Sequence, residues 1–175
     1  MPEQQGSLDL MCGIYAVINA VNLIHGMGKR ERRKLFHHLV SVLEQEGYVS
    51  SALLYGTYKR HITLMLETSR RHMWTHYRVR ITIKPMFRIN AGIDLDHYWN
   101  RLESYMAHEK RAVIIIMGGR ISHWTCVKAF TGISALLEDS CGYKFIHKST
   151  CHIGKPAPDG HYLIPRQTWG LSIKE

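Results

Sequence analysis

Cys12, followed by Gly13, opens a run in which Ile14, Val17, Ile18, Val21 and Ile24 recur at helical spacing. A thiol attacks a carbonyl as its thiolate, and a free cysteine is only a few per cent ionised near neutral pH. A helix N-terminus favours the anion, because its first backbone N–H groups lack acceptors and the macrodipole is positive there. The spacing puts Cys12 at that place. Gly13 lets backbone come close to a substrate carbonyl, and the Cys12 amide is an oxyanion donor.

A nucleophile of this kind needs a base, and the base needs a group to hold it. His123 opens an apolar run to Phe130, after Gly118-Gly119-Arg120, and Asp139 ends the next such run. With a tight turn near Thr131-Gly132, an antiparallel hairpin brings both to one end of a sheet. Asp139 then accepts from one ring nitrogen of His123 while the other faces Cys12. Trp124 packs beside the pair and limits its contact with water. The plain alternatives are a core cysteine, a core histidine and a turn aspartate in Asp-Ser-Cys-Gly.

These residues need elements to position them. The first helix starts at Cys12, with Ser7 or Asp9 as cap and Gly26 and Gly28 as its end. A second is expected from about 29 to 46, burying Leu35, Phe36, Leu39, Val40 and Leu43. A third is expected from about 51 to 72, with Leu54, Tyr58, Ile62, Met65 and Leu66 inward. Val79, Ile81 and Ile83 alternate with polar residues as in a half-buried strand. Asp94 or Asp96 caps a helix carrying Leu95, Tyr98, Leu102, Tyr105 and Met106.

From residue 112 the pattern becomes strand and turn: Val113–Met117 up to a Gly118-Gly119 turn, then 123–130, 135–139, 143–147 and 161–164. Helices first and a mostly antiparallel sheet second is an α+β layout. The 175 residues suit one domain, 1–175, in which the first helix packs on the sheet.

Three segments resemble the motifs of papain-like cysteine peptidases, and their spacing is most similar to that of the bacterial double-glycine peptidase group. They are residues 4–20 around Met-Cys-Gly-Ile-Tyr, Ser-His-Trp-Thr-Cys-Val (122–127) and Leu-Leu-Glu-Asp-Ser (136–140). The resemblance covers about a third of the chain, and residues 29–111 match no part of it. It implies a papain-like fold with Cys12 as nucleophile, His123 as base, Asp139 as orienting group, and Gln5 or Gln4 as oxyanion-hole amide. The glutamine stands further from Cys12 than in that group. The implied activity is cleavage of a peptide or isopeptide bond through an acyl-enzyme. Glutamine deamidation and acyl transfer use the same triad.

Composition bounds the alternatives. With 23 Lys+Arg against 14 Asp+Glu the net charge is +9, which favours anionic partners. An acidic peptide or protein substrate is the expected one. Nucleic acid is less favoured, because no recognised binding motif accompanies the charge, and a non-enzymatic basic module is the reading opposed to an enzyme. No apolar run approaches the length of a membrane span, and the first residues lack the pattern of a secretory signal. A cytoplasmic location is therefore expected, unless a route without such a signal exports the chain.

The cysteines, Cys12, Cys126, Cys141 and Cys151, are expected to be free thiols. Cys141 and Cys151-His152 lack paired zinc-ligand spacing, so neither metal nor cofactor is expected. Cys126 is expected in the core, and His37, His38, His72 and His76 on the surface. Tyr15, Trp74, Trp99 and Trp124 are candidates for lining the cleft.

Overall fold

A computed structural model describes residues 2–3, 11–90, 92–119, 122–154 and 160–173. Helix α1 (Cys12–His25) ends at Gly26, whose φ of 78° is the left-handed cap that glycine adopts without penalty. The capping role expected of Ser7 or Asp9 lies outside the described residues. Helix α2 (Lys29–Gln45) buries Leu35, Leu39 and Leu43, with Phe36 and Val40 half-buried beside them.

The expected third helix is two. Helix α3 (Val49–Tyr55) stops at Gly56, and α4 (Lys59–Tyr77) starts after Tyr58, whose amide donates to His61 Nδ1 at 3.2 Å. Gly56 has φ 82° and ψ 174°, a conformation closed to side-chain-bearing residues, and it breaks the helical path that the apolar spacing continues through. Leu54 and Tyr58, expected inward, are 66% and 51% exposed in consequence.

Strand β1 (Ile81–Pro85) is followed by α5 (Leu95–Met106), where the Asp94 carboxylate accepts from the His97 amide at 2.7 Å. Strand β2 (Arg111–Gly119) runs through Gly118 and Gly119, which were expected as a turn. Gly118 is needed inside the strand because a Cβ there would lie 2.1 Å from the Tyr162 ring. Strands β3 (His123–Phe130) and β4 (Ser134–Glu138) form the expected hairpin, closed by the Thr131 amide on the Ser134 carbonyl.

Then come β5 (Phe145–His147), β6 (Cys151–Ile153), β7 (His161–Leu163) and β8 (Trp169–Ile173). The sheet order is β1-β8-β2-β3-β4-β5, with β7 also on β2, and every pairing is antiparallel except β6 with β7. The architecture is α+β, with a mostly antiparallel sheet of eight strands among the described residues.

Two apolar layers hold this sheet. On one face α1, α2 and α4 pack against Ala112, Ile114, Ile116, Trp124, Cys126, Trp169 and Leu171. On the other, α5 packs Tyr98, Trp99 and Leu102 against Val113, Ile115, Val127 and Leu137. The period-2 alternation of β2 divides its residues between the two layers. No helix among the described residues is long and apolar enough to cross a membrane.

Candidate active site

Residue 12 begins α1, residue 123 begins β3, and residue 139 follows β4. The hairpin register, Cys126 opposite Glu138, brings the start of β3 to the end of β4. His123 Nε2 lies 2.6 Å from Asp139 Oδ2, and both side chains are buried. The other carboxylate oxygen, Oδ1, accepts from the amides of Cys141 at 2.8 Å and Tyr143 at 3.2 Å. The acid is thus fixed by its own turn and points one oxygen at the ring.

The charges follow from this packing. Burial opposes the imidazolium, but the bond to Asp139 and the nearby Cys12 outweigh it and hold the His123 pKa at about 9. Burial likewise opposes the carboxylate, and the bond to His123, its charge and the Cys141 amide outweigh it. The Asp139 pKa therefore lies below its ordinary value. Both shifts favour the imidazolium–carboxylate form of the pair.

Cys12 is 6% exposed, and its Sγ accepts the Trp124 amide at 3.4 Å. The sulfur is also within interaction range of the His123 ring. With Nε2 taken by Asp139, Nδ1 is the ring nitrogen left for a thiol. The four cysteines are thiols and not disulfides, as expected. Burial pushes the Cys151 thiol up to about 12 and raises that of Cys126 as well. Cys126 is fully buried in the core, and Cys141 is exposed with its Sγ 3.9 Å from His123 Nδ1.

The neighbour of each of these three residues is clamped. Thr57, in the break between α3 and α4, accepts the Gly13 amide on its hydroxyl at 3.1 Å and the Trp124 indole N–H on its carbonyl at 2.7 Å. One residue therefore holds the chain next to Cys12 and the chain next to His123. Asn19, inside α1, donates to the Glu138 carbonyl at 3.2 Å, beside Asp139, and bonds the Glu3 backbone in both directions.

Gly13 has a different neighbour from the one expected. A Cβ on it would lie 2.3 Å from Thr57 Oγ1 and 2.6 Å from Ile62 Cδ1, so its missing side chain makes room for protein and not for substrate. The Gly13 amide is taken by Thr57 and the Ile14 amide by the Met11 carbonyl, while the Cys12 amide has no acceptor among the described residues. Replacing Gly13 by valine should overpack this contact and cost about 2 kcal/mol. A lowered denaturation midpoint in urea at unchanged slope would register it.

A cleft of about 1000 Å³ opens over Cys12 and His123. One wall is the segment from Tyr55 to Arg60, and the other includes Ser122, Trp124, Tyr162 and Gln167. Among the described residues no Asp or Glu lines it, while Lys59 and Arg60 do. The Arg60 guanidinium stacks 4.8 Å above the Tyr48 ring. Of the four aromatic residues expected to line the cleft, Trp124 does. Tyr15 packs on Phe36, Trp99 is buried with its indole N–H on the Thr131 carbonyl, and Trp74 lies under Arg78 and Arg80.

Gln5 and Gln4 lie outside the described residues. Gln167, on the turn before β8, is the described side-chain amide that lines the cleft, and no motif pointed to it. Thr57 was missed as well, since its partners are 44 and 67 residues away. The ligand atoms of His123, Asp139 and Cys141 lie within 4.8 Å of one another, the spacing a metal ion would need. Their closeness is accounted for by the acid–imidazole bond and by the turn in which Asp139 Oδ1 takes the Cys141 amide. No protein-family model, curated protein or solved structure matches this chain.

Proposed function

We propose that this chain is a papain-like cysteine hydrolase that cleaves peptide or isopeptide bonds, with Cys12 as nucleophile, His123 as acid and base, and Asp139 as the group that orients His123. The observation that carries this reading is that Cys12 Sγ, which accepts the Trp124 amide, lies within interaction range of an imidazole pinned at 2.6 Å to a buried carboxylate. A backbone N–H and the His123 ring are thus both within reach of the sulfur that attacks.

In the reaction the thiolate adds to the substrate carbonyl, and the Cys12 amide donates to the oxyanion. As the intermediate collapses, His123 gives its proton to the leaving amine, and an acyl group remains on Sγ. Neutral His123 then takes a proton from water, which attacks the thioester and releases the acid. Asp139 keeps Nε2 occupied throughout, so proton transfer runs through Nδ1. Lys59 and Arg60, without a carboxylate beside them in the cleft, favour a substrate segment that carries acidic groups.

The test is the rate of alkylation of each cysteine by iodoacetamide at pH 6, followed by peptide mass spectrometry. Cys12 should react at least ~10-fold faster than the exposed Cys141, although Cys12 is buried, and Cys126 and Cys151 should stay unmodified. A Cys12 no faster than Cys141 would remove the basis for nucleophilic catalysis. If Cys12 is reactive, the intact mass of incubated peptides separates cleavage from deamidation, which adds about one dalton, and from cross-linking.

A further inference from the structure

Away from the cleft, α2 and α4 each turn a pair of residues four positions apart toward a shared hollow: Lys34 and His38 from α2, His72 and His76 from α4. Residues at that spacing lie on one helix face, so two facing pairs close a pocket. Its volume is about 510 Å³, and Tyr77 completes the lining. The rings of His38 and His72 are 5.2 Å apart and those of His72 and His76 are 4.4 Å apart.

His72, expected on the surface, is more than nine-tenths buried, because its position on α4 faces α2. Its Nε2 is buried with no hydrogen-bond partner among the described residues. An unpaired buried nitrogen is costly. The His72 ring that carries it forms part of a cavity whose other walls hold an ammonium and two further imidazoles.

We infer that this pocket is a binding site for a phosphate-type oxyanion, held by Lys34 Nζ and by ring N–H groups of His38 and His76, with the His72 ring beneath them. Among the described residues the lining holds one ammonium, three imidazoles and a phenol, and no carboxylate. Glu31, which faces Tyr77, has its Oε2 on the Gly28 amide at 2.6 Å, and His25 packs on the far side of Tyr77. A transition metal would need ring nitrogens that converge. Among the described residues, the ligand atoms that do converge are those of His123, Asp139 and Cys141.

Without an anion, burial first and then His76, His38 and Lys34 hold the His72 pKa at about 4, so this ring is neutral at pH 7. A bound oxyanion favours the imidazolium form of every ring that faces it, so binding takes up protons and tightens as pH falls. The limit is ~10-fold per pH unit for each proton taken up.

The experiment follows the histidine ring signals of the whole chain by NMR while inorganic phosphate is added at pH 6.0 and 7.5, with sodium chloride at matched ionic strength as the control. The expected result is a saturable shift of the His38, His72 and His76 signals, at least ~5-fold tighter at pH 6.0. The shift should weaken at least ~5-fold in Lys34→Gln, whose exposed side chain can be changed without unfolding. Phosphate that behaves no differently from chloride would overturn the proposal. So would a Lys34→Gln variant that binds as well as the original. Cobalt(II) broadening of the same three signals where phosphate gives no shift would also overturn it and make the pocket a metal site.

Discussion

With His123 replaced by alanine, the chain should release an acyl group from Cys12 about 10³-fold more slowly than the original protein. The measurement is the steady-state rate after the burst with p-nitrophenyl acetate, an activated ester that acylates a reactive thiol without specific recognition. On the proposed mechanism, acylation of Cys12 loses the ring beside its sulfur. Deacylation loses more, because water then has no base, and positioned proton transfer contributes about 10²–10⁴-fold. The split between the phases is informative. If burst and steady state fall by the same small factor, His123 only tunes the thiol. If deacylation alone collapses, it is the base.

Asp139→Ala carries the second large effect, on stability as well as rate. The substitution leaves a buried imidazolium without its carboxylate, and the Cys141 and Tyr143 amides without the acceptor that forms their turn. Removing one partner of a buried pair costs about 3–5 kcal/mol. In a domain of this size that is a fall in Tm of about 10 °C.

The pH dependence has a definite sign. The His123 pKa is raised, so its contribution is complete below the ordinary histidine value and is lost as pH rises through about 9. The Asp139 pKa is lowered, so its contribution is complete above its ordinary 3.8 and is lost as pH falls through the lower folded value. The gap in Tm between original and variant should therefore be widest from about pH 5 to 6.5 and narrow toward pH 10. A gap independent of pH would mean that the carboxylate serves the turn alone.

The parts of this arrangement that could be read from the chain were those carried by local periodicity. The apolar stripe from Ile14 to Ile24 placed α1 to within a residue, and the two runs around Thr131-Gly132 placed the hairpin that joins His123 to Asp139. What escaped was set by distant contacts. Leu54, Tyr58 and Ile62 keep helical spacing across Gly56, where the glycine lets the chain turn and the fit of Thr57 between Gly13 and Trp124 fixes the break. Strands β6 and β8 are short, and what decides them is their partners, β7 for one and β1 and β2 for the other. His72 looked like a surface residue because histidine is neither apolar nor firmly charged, and its burial depends on α2.

Thr57 also makes the readiness of the site a report on the completeness of folding. It joins residues 44 apart on one side and 67 apart on the other, and the Trp124 amide reaches Cys12 across 112 positions. Contacts of such long range close late, after loop entropy has been overcome. A partly assembled molecule that has closed the β3–β4 hairpin holds the ring and the acid together, 16 residues apart, without the thiol beside them. On the proposed function, rapid labelling of Cys12 at pH 6 would count native molecules in a preparation, and a misfolded or clipped chain would carry no stray nucleophile into its surroundings.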